Sequence, residues 1–471
     1  MNSKTSGYLI SCTIIAALGG FLFGFDTAVI NGTIDSFANE YGIAGDGWQA
    51  FWKGFTVASA LIGTIIGAYF VGKPADTYGR RGVLFVVAVL YFVSAVGSMF
   101  PPDWLGLVIF RFIGGLGVGA ASVVAPMYIA EISPAKYRGR LVAVTQFNIV
   151  FGILVAFFSN MVVASLNLDI YWEWRTMFGV EAIPAFAFFW LLFLTPESPR
   201  WLIAKGKSED AAAIFKRLGS DTENVQEEIK VIKESLAQEK DSANAQFYSK
   251  ANLKIILLAF AFASFNQLSG INVIMYYATT IFQMAGTADT PELAKQSALV
   301  QGVIVGFTNL IVTIIAMSII DHFGRKKLMI VGSIGYILSL ASIAMCFYLG
   351  QSFDSEGNSV FSPVCSWLIL ISIMVFIASH AFGQGAVIWV FISEIFPNRI
   401  RSQGLAFGCF VHWFWNVVIS WTFPIVAAKS GGNAFAFFAV MMVCQLIWVL
   451  TKMPETKGVP LEEIQKKLGM E

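Results

Sequence analysis

Charge is scarce in this chain. Only 13% of its 471 residues are Asp, Glu, Lys or Arg, about half the share of an ordinary soluble protein. The formal net charge is +1, and no basic run is long enough to grip a nucleic-acid backbone. Cysteine is also scarce. Cys12, Cys346, Cys365, Cys409 and Cys444 all lie in or beside apolar stretches, and an odd number so placed argues against a disulfide framework or a zinc site. They read as small core residues. No phosphate loop, metal-ligand cluster or activated nucleophile is present, so the chain does not read as an enzyme. No cofactor or metal is implied.

Apolar length is what the chain has instead, with 56% hydrophobic residues. Crossing a hydrocarbon core takes about 20 helical residues. Twelve segments reach that length, near 8–30, 51–72, 83–101, 104–130, 141–165, 175–195, 253–283, 296–320, 328–350, 365–393, 402–427 and 433–453. The expected fold is therefore an all-α membrane protein of twelve transmembrane helices. The run from Tyr8 to Ile30 is too long for a secretory h-region and has no small-residue cleavage site, so it reads as a retained first span.

One long polar stretch, 197–250, separates spans 6 and 7. In it Val225, Ile229, Ile232 and Leu236 follow at helical spacing, a narrow apolar stripe expected to lie against the cytoplasmic ends of the spans. The expected organisation is a six-helix unit at 1–196, a helical linker at 197–250, a second unit at 251–453 and a tail at 454–471. With both termini inside, all Lys and Arg but Lys53, Arg111, Arg175, Lys295 and Lys429 fall in or beside cytoplasmic segments. Asp35, Glu40, Asp46, Asp354 and Glu356 fall on the opposite side, so the positive-inside rule sets the orientation.

The two halves repeat. Gly72-Lys-Pro-Ala-Asp-Thr-Tyr-Gly-Arg-Arg81 returns as Asp321-His-Phe-Gly-Arg-Lys-Lys327, and Glu131-Ile-Ser-Pro-Ala-Lys-Tyr-Arg138 as Glu394-Ile-Phe-Pro-Asn-Arg-Ile-Arg401. Pro196-Glu-Ser-Pro returns as Pro454-Glu-Thr-Lys. Such duplicated membrane units characterise transporters, which place their solute between the repeats near the midplane.

Few ionisable groups lie inside spans: Asp26, Arg111, Glu181, His380 and His412. A carboxylate at the centre of a span costs about 2.5–3.5 kcal/mol on insertion scales, which makes it a functional candidate. Asp26 lies about five residues from the outer end of its helix and Arg111 about seven, which puts them within a turn of one depth. Each is cheaper paired than alone. Two readings follow, a structural clamp or a proton switch in which protonation weakens the pair and frees the first span. Below Arg111, Gly115 and Gly119 continue a strip of small residues that admits a neighbouring helix. No strand precedes this glycine cluster, so it does not read as a nucleotide loop.

The motifs GGFLFGFDTAVING, GKPADTYGRR, RFIGGLGVG, PMYIAEISPAKYRGR, PESPRWL, NQLSGINVIMYYA, DHFGRKK, SEIFPNRIR and PETKGVPLEEI run in order from the first span to the tail. On these residues the chain closely resembles the sugar porters of the major facilitator superfamily. The resemblance implies two pseudo-symmetric six-helix bundles, a polar cavity between them and alternating access. It also implies a sugar or polyol as substrate and a proton as coupling ion, since the family's symporters carry Asp at the position of Asp26 and many facilitators carry Asn. Glu181 matches a further family carboxylate that influences coupling. A uniporter with the same site, and a sugar sensor, are the alternatives. The expected setting is a bacterial inner membrane, multi-pass, with the protein working as a monomer.

Carried over residue by residue, the family's sugar contacts fall on Phe23, Gln146, Asn266, Gln267, Asn272, Tyr276, Asn309, Trp389, His412, Trp413 and Asn416. Amides serve hydroxyls as both donor and acceptor, and indole faces cover the C–H face of a sugar ring. Asn266 and Gln267 join the face of Asn272 only if the helix breaks at Ser269-Gly270. Three departures stand out: Asn266-Gln267 for Gln-Gln, Gly385-Ala-Val-Ile-Trp389 without the family's proline at Ala386, and His412 for an amide. The resemblance makes Arg80, Glu131, Arg138, Glu197, Arg200, Arg325, Glu394 and Arg401 a cytoplasmic gate whose salt bridges latch the halves. Exposed pairs are worth about 0–1 kcal/mol each, so such a latch works as a network.

Overall fold

In hydrocarbon every backbone N–H and C=O must find its partner within the protein, so long apolar segments become helices. The computed structural model describes residues 3–134, 137–219, 222–242, 247–285, 291–353, 359–397 and 400–457. Asp354, Glu356 and the tail beyond Lys457 lie outside these residues. Among the described residues twelve helical segments are long and apolar enough to span a membrane. In order they are spans 1 to 6, Gly7–Gly32, Trp48–Phe70, Arg80–Met99, Trp104–Ile132, Arg138–Ser165 and Ile170–Leu194, and spans 7 to 12, Leu253–Gln283, Leu293–Ile319, Arg325–Leu349, Pro363–Ile395, Arg401–Lys429 and Gly431–Thr451. Between spans 9 and 10 the strands Gln351–Phe353 and Ser359–Phe361 pair antiparallel, with Ser352 opposite Val360.

Contacts gather the chain into two units that do not follow its order. One comprises Met1–Thr27, Ser59–Ala156 and Arg175–Ala245, the other Ala28–Ala58, Phe157–Trp174 and Gln246–Glu471.

In the first unit, glycine sets the distance between helices. A Cβ on Gly115 would lie 1.8 Å from the Ala60 carbonyl oxygen, and one on Gly119 would lie 2.2 Å from that of Thr64. The small-residue strip below Arg111 is thus the surface on which spans 2 and 4 touch, backbone against backbone. The linker helices Pro199–Ala204, Ser208–Leu218 and Thr222–Ser242 share a core of Leu202, Ile203, Ala211, Phe215, Val225 and Ile229, against which Ile232 and Leu236 also pack. The stripe expected to lie on the ends of the spans therefore packs on its own neighbours. The three linker helices bury one another's narrow stripes.

The second unit joins the end of span 1, the start of span 2 and the junction of spans 5 and 6 to the spans of the second half. The Thr279 amide donates to Asn31 Oδ1 at 2.8 Å, just beyond a kink at Tyr277 (φ −112°, ψ 16°). Phe51 and Phe55 pack on Trp421 with ring centroids 5.2 and 5.0 Å apart. Lys295 pairs with Glu173 at 2.7 Å, and the Thr280 hydroxyl donates to Asp35 at 3.3 Å. Burial raises the Asp35 carboxyl above its ordinary value, an effect that Lys53, the Thr280 bond and Lys295 offset only in part. A carboxyl raised in the folded state adds stability that is complete below its unfolded value, about 3.9, and is lost as pH rises through the native value. The melting temperature of the wild type relative to Asp35→Asn should therefore be highest in acid and fall toward neutral pH. A difference that ignores pH would mean that Asp35 does not titrate in this range.

Candidate functional site

The three repeated motifs meet at one place in each repeat. Gly79 and Gly324 precede spans 3 and 9 with φ of 86° and 85°, a backbone that glycine alone adopts readily. Past each glycine the freed helix N-terminus meets a carboxylate. Glu197 accepts from the amides of Arg81 and Ser198 at 3.1 and 2.8 Å, and Glu455 from those of Arg325 and Lys326 at 2.9 and 3.0 Å. Beside it, Arg80 pairs with Glu131 at 3.0 Å and Arg325 with Glu394 at 2.8 Å. Ser198 bonds Glu131, and Thr456 bonds Glu394 at 2.6 Å. Each of these bonds stays within its own repeat. Arg138 donates to the Ala130 carbonyl at 3.0 Å, Arg200 to Ser235 at 3.4 Å and Arg401 to the Phe396 carbonyl at 3.4 Å. Sequence reasoning missed Glu455 and Thr456, although the 258-residue offset between Pro196 and Pro454 marks them as partners of Glu197 and Ser198.

The buried charges of the first unit form one cluster. Arg111 reaches Asp26 Oδ1 at 2.6 Å and its backbone carbonyl at 3.3 Å, with both side chains 3% exposed. The Phe178 ring lies 5.1 Å from the guanidinium, adding a cation–π contact. Glu181, 1% exposed, is within hydrogen-bonding reach of Asp26 and feels the Arg111 charge. Its Oε1 and the Arg111 Nε have no partner. Tyr91 and Ser94 border the cluster: Tyr91 is close enough to feel both carboxyls, and a Cβ on Gly114 would lie 2.4 Å from Ser94 Oγ and 3.4 Å from Asp26 Oδ1. Two carboxyls thus face one guanidinium away from water. Counted formally, two carboxylates against one guanidinium leave one negative charge unbalanced.

In the second unit span 7 breaks at Gly270, whose φ is +83°. Ser269 holds the break, donating to the Asn266 carbonyl at 2.6 Å and accepting from the Ile271 amide at 3.3 Å. The break brings Asn266, Gln267 and Asn272 together. Gln267 Nε2 donates to Asn266 Oδ1 at 3.1 Å, and its Oε1 accepts from Asn272 at 2.8 Å. The same Nε2 lies 3.0 Å from a ring nitrogen of His412, which stands in for the family's amide as an acceptor. Trp389 and Trp413 flank that imidazole, with ring centroids 5.4 and 5.2 Å away. Asn416 bonds the Tyr276 hydroxyl at 3.2 Å and accepts from Ser420 at 3.0 Å.

The remaining candidates are placed elsewhere. Asn309 accepts from Thr313 at 3.4 Å on its own helix. Phe23 and Gln146 belong to the first unit, Phe23 half-buried one turn before Asp26 and Gln146 exposed.

The chain matches the model of the family described as sugar (and other) transporter over residues 12–468. It belongs to that family. It is 37% identical to the D-xylose-proton symporter of Escherichia coli (strain K12), an alignment covering 99% of this chain and 97% of the relative. It is 34% identical to the arabinose-proton symporter of Bacillus subtilis (strain 168), over 98% and 96%. Among solved structures, the inward-open conformation of the E. coli xylose transporter superposes with a TM-score of 0.83 at 36% identity, covering 98% of this chain and 99% of that one. The protein is a multi-pass membrane transporter of the major facilitator superfamily, and its work is the movement of sugars rather than catalysis.

Proposed function

We propose that this transporter imports a monosaccharide, pentose or hexose, or a related polyol by proton symport. The observation that carries the coupling is the buried pair of carboxyls, Asp26 and Glu181, set against the single guanidinium of Arg111. With the proton bound, the cluster is neutral and span 1 can move through a low-dielectric interior. Without it, Arg111 holds Asp26 at 2.6 Å and resists the return of an empty carrier. The same helix carries Phe23, one turn from Asp26, which the family resemblance counts among the sugar contacts. In the second unit, the Asn266–Gln267–Asn272 amides and the Trp389 face suit a neutral polyol, which needs donors, acceptors and a flat apolar surface but no counter-charge. The Arg80–Glu131–Glu197 and Arg325–Glu394–Glu455 clusters belong to the cytoplasmic gate. The protein sits in a bacterial inner membrane with both termini cytoplasmic, and one copy completes the cycle. The proton is the coupling ion, and no cofactor takes part.

The test is uptake into proteoliposomes with an imposed pH gradient, using D-xylose, L-arabinose, D-glucose and myo-inositol. One of them should accumulate above its outside concentration only when the outside is acid, with proton entry following sugar. Equal final concentrations with and without the gradient would make the protein a uniporter. Binding is the second measurement. Gln267 anchors Asn266, Asn272 and His412, so Gln267→Ala should weaken sugar affinity about 10–100-fold, the loss of one to two hydrogen bonds to substrate. Trp389→Ala should do the same through lost stacking. Full affinity in both variants would remove these residues from the site.

A further inference from the structure

Span 10 bends without the family's proline. Its two helices meet at Gly383 (φ −93°, ψ −97°), and Gln384, the next residue, is buried in a polar chain that joins spans 9, 10 and 12. The Tyr336 hydroxyl lies 2.6 Å from His380 Nδ1 and 2.9 Å from Gln384 Oε1. Gln384 Nε2 reaches Gln445 Oε1, and Gln445 Nε2 reaches Ser333 Oγ at 2.8 Å. Ser333 closes the chain on the Met329 carbonyl at 2.7 Å.

The direction of every bond follows from that last one. A carbonyl only accepts, so the single hydrogen of Ser333 is committed to it, and Ser333 must accept from the Gln445 amide nitrogen. Gln445 then turns its oxygen to Gln384, which must donate with its nitrogen and turn its own oxygen to Tyr336. Tyr336 has one hydrogen and spends it there. His380 Nδ1 is left as the donor to the phenol oxygen. Neutral His380 is therefore the Nδ1–H tautomer, and Nε2 carries a lone pair.

That lone pair faces the protein interior. On the helix before the bend, Ile371 and Val375 are 53% and 43% exposed. His380 lies nine and five residues further on, about 180° and 140° around the helix. Ile369, Ile373 and Phe376, which share its face, are fully buried, yet His380 itself is only half-buried. Its ring folds over Gly385, where a Cβ would come within 3.3 Å of Nε2. Gly385 is one turn before Trp389, and His412 is near enough to act on His380 electrostatically.

We propose that His380 is a specificity-determining residue of the sugar site, whose tautomer is locked by the Tyr336–Gln384–Gln445–Ser333 chain so that Nε2 accepts a hydrogen bond from one substrate hydroxyl. This rests on the sugar-binding reading of the Trp389–His412 face. A site built to receive a hydroxyl hydrogen rejects a ligand that lacks it, because its buried acceptor is then left unpaired. Fluorine keeps the size of a hydroxyl and cannot donate, so an acceptor-only site should reject deoxy and fluoro analogues alike.

The experiment has two readouts. In full-length protein labelled with ¹⁵N-histidine, with His380 assigned by its loss in His380→Gln, the shifts should report protonated Nδ1 and bare Nε2 at neutral pH. Tyr336→Phe should release the lock and give mixed tautomers. Protonated Nε2 in the wild type would overturn the proposal whatever the sugar. The second readout is competition of D-glucose and its monodeoxy and monofluoro analogues with labelled D-xylose uptake. One ring position should show about a tenfold or greater loss for both analogues in the wild type. In His380→Phe that loss should fall below about twofold, while His380→Gln, which keeps an acceptor, should retain part of it. An unchanged analogue profile in His380→Phe would sink this inference alone. Absence of competition by any of these sugars in the wild type would sink the sugar reading and this one with it.

Discussion

Asp26→Asn should lose sugar accumulation altogether while still exchanging sugar across the bilayer. With one-to-one coupling, a pH difference of one unit is worth about 1.4 kcal/mol and sustains about a tenfold concentration of sugar. The variant should stop at equal concentrations inside and out. The reason lies in the charge count. The substituted amide keeps an oxygen for the Arg111 bond that now spans 2.6 Å, and Glu181, already within reach of the pair, supplies the one negative charge that Arg111 requires. The cluster is then balanced without a proton, and its occupancy no longer depends on pH. Counterflow of labelled sugar should survive within a few-fold, because Asn266, Gln267, Asn272 and Trp389 are untouched. Arg111→Ala is a different experiment. It removes the counter-charge that two buried carboxyls face, and breaking a buried pair costs about 3–5 kcal/mol, so folding itself is at stake. A variant Asp26→Asn that still concentrates sugar in an acid-outside gradient would leave the Asp26–Arg111 pair as the structural clamp and move the proton site elsewhere.

Much of this was readable before any coordinates. The twelve spans follow from apolar length, since water is absent from the hydrocarbon and no other backbone solution is open to a single segment. The Asp26–Arg111 contact follows from depth, because two opposite charges in a low-dielectric layer have few places to go. The break at Ser269-Gly270 follows from requiring Asn266 and Asn272 to share a face. Contacts that depend on which helix lies beside which are another matter. Nothing local to Glu197 says that its carboxylate will close the N-terminus of span 3, more than a hundred residues earlier. Its purpose shows only when Glu455 repeats the arrangement on span 9. The stripe of Val225, Ile229, Ile232 and Leu236 announces that it must be covered and does not say by what, and the cover is the two short helices before it. The family's proline is missing from span 10 at Ala386. The bend stands at Gly383, beside a buried amide, Gln384, that neighbouring spans hold in place. His380 drew notice only as an ionisable residue inside a span, because its partner Tyr336 is 44 positions away in sequence, and Gln445, further along the same chain of bonds, is 65 away.

A large loss of stability should come from a single methyl group. Gly115→Ala places a Cβ 1.8 Å from the Ala60 carbonyl oxygen, and Gly117→Ala places one no closer than 3.4 Å to the Leu90 side chain. Both substitutions are in span 4, two residues apart, and both bring the same intrinsic gain in helix propensity, up to about 1 kcal/mol. Only the first meets backbone. A side chain in the way can rotate, but a carbonyl inside a helix is held by its own hydrogen bond, so spans 2 and 4 must separate. The contact is also reciprocal, with Gly63 against the Phe112 carbonyl and Gly67 against that of Leu116, so separation at one point loosens the whole seam. Overpacking of a well-packed interior costs about 1–3 kcal/mol and more where nothing can give. Gly115→Ala is expected at or beyond the top of that range, as a melting temperature in detergent many degrees below wild type, with Gly117→Ala unchanged or slightly higher. Function should follow. Arg111 stands one turn before Gly115, so a helix displaced there moves the guanidinium away from Asp26 and Glu181. Folded Gly115→Ala protein should therefore couple sugar to protons poorly even where it still binds sugar. If the two variants melt together, the seam of glycines is not what fixes Arg111 in place, and the closeness of spans 2 and 4 has no part in the proton site.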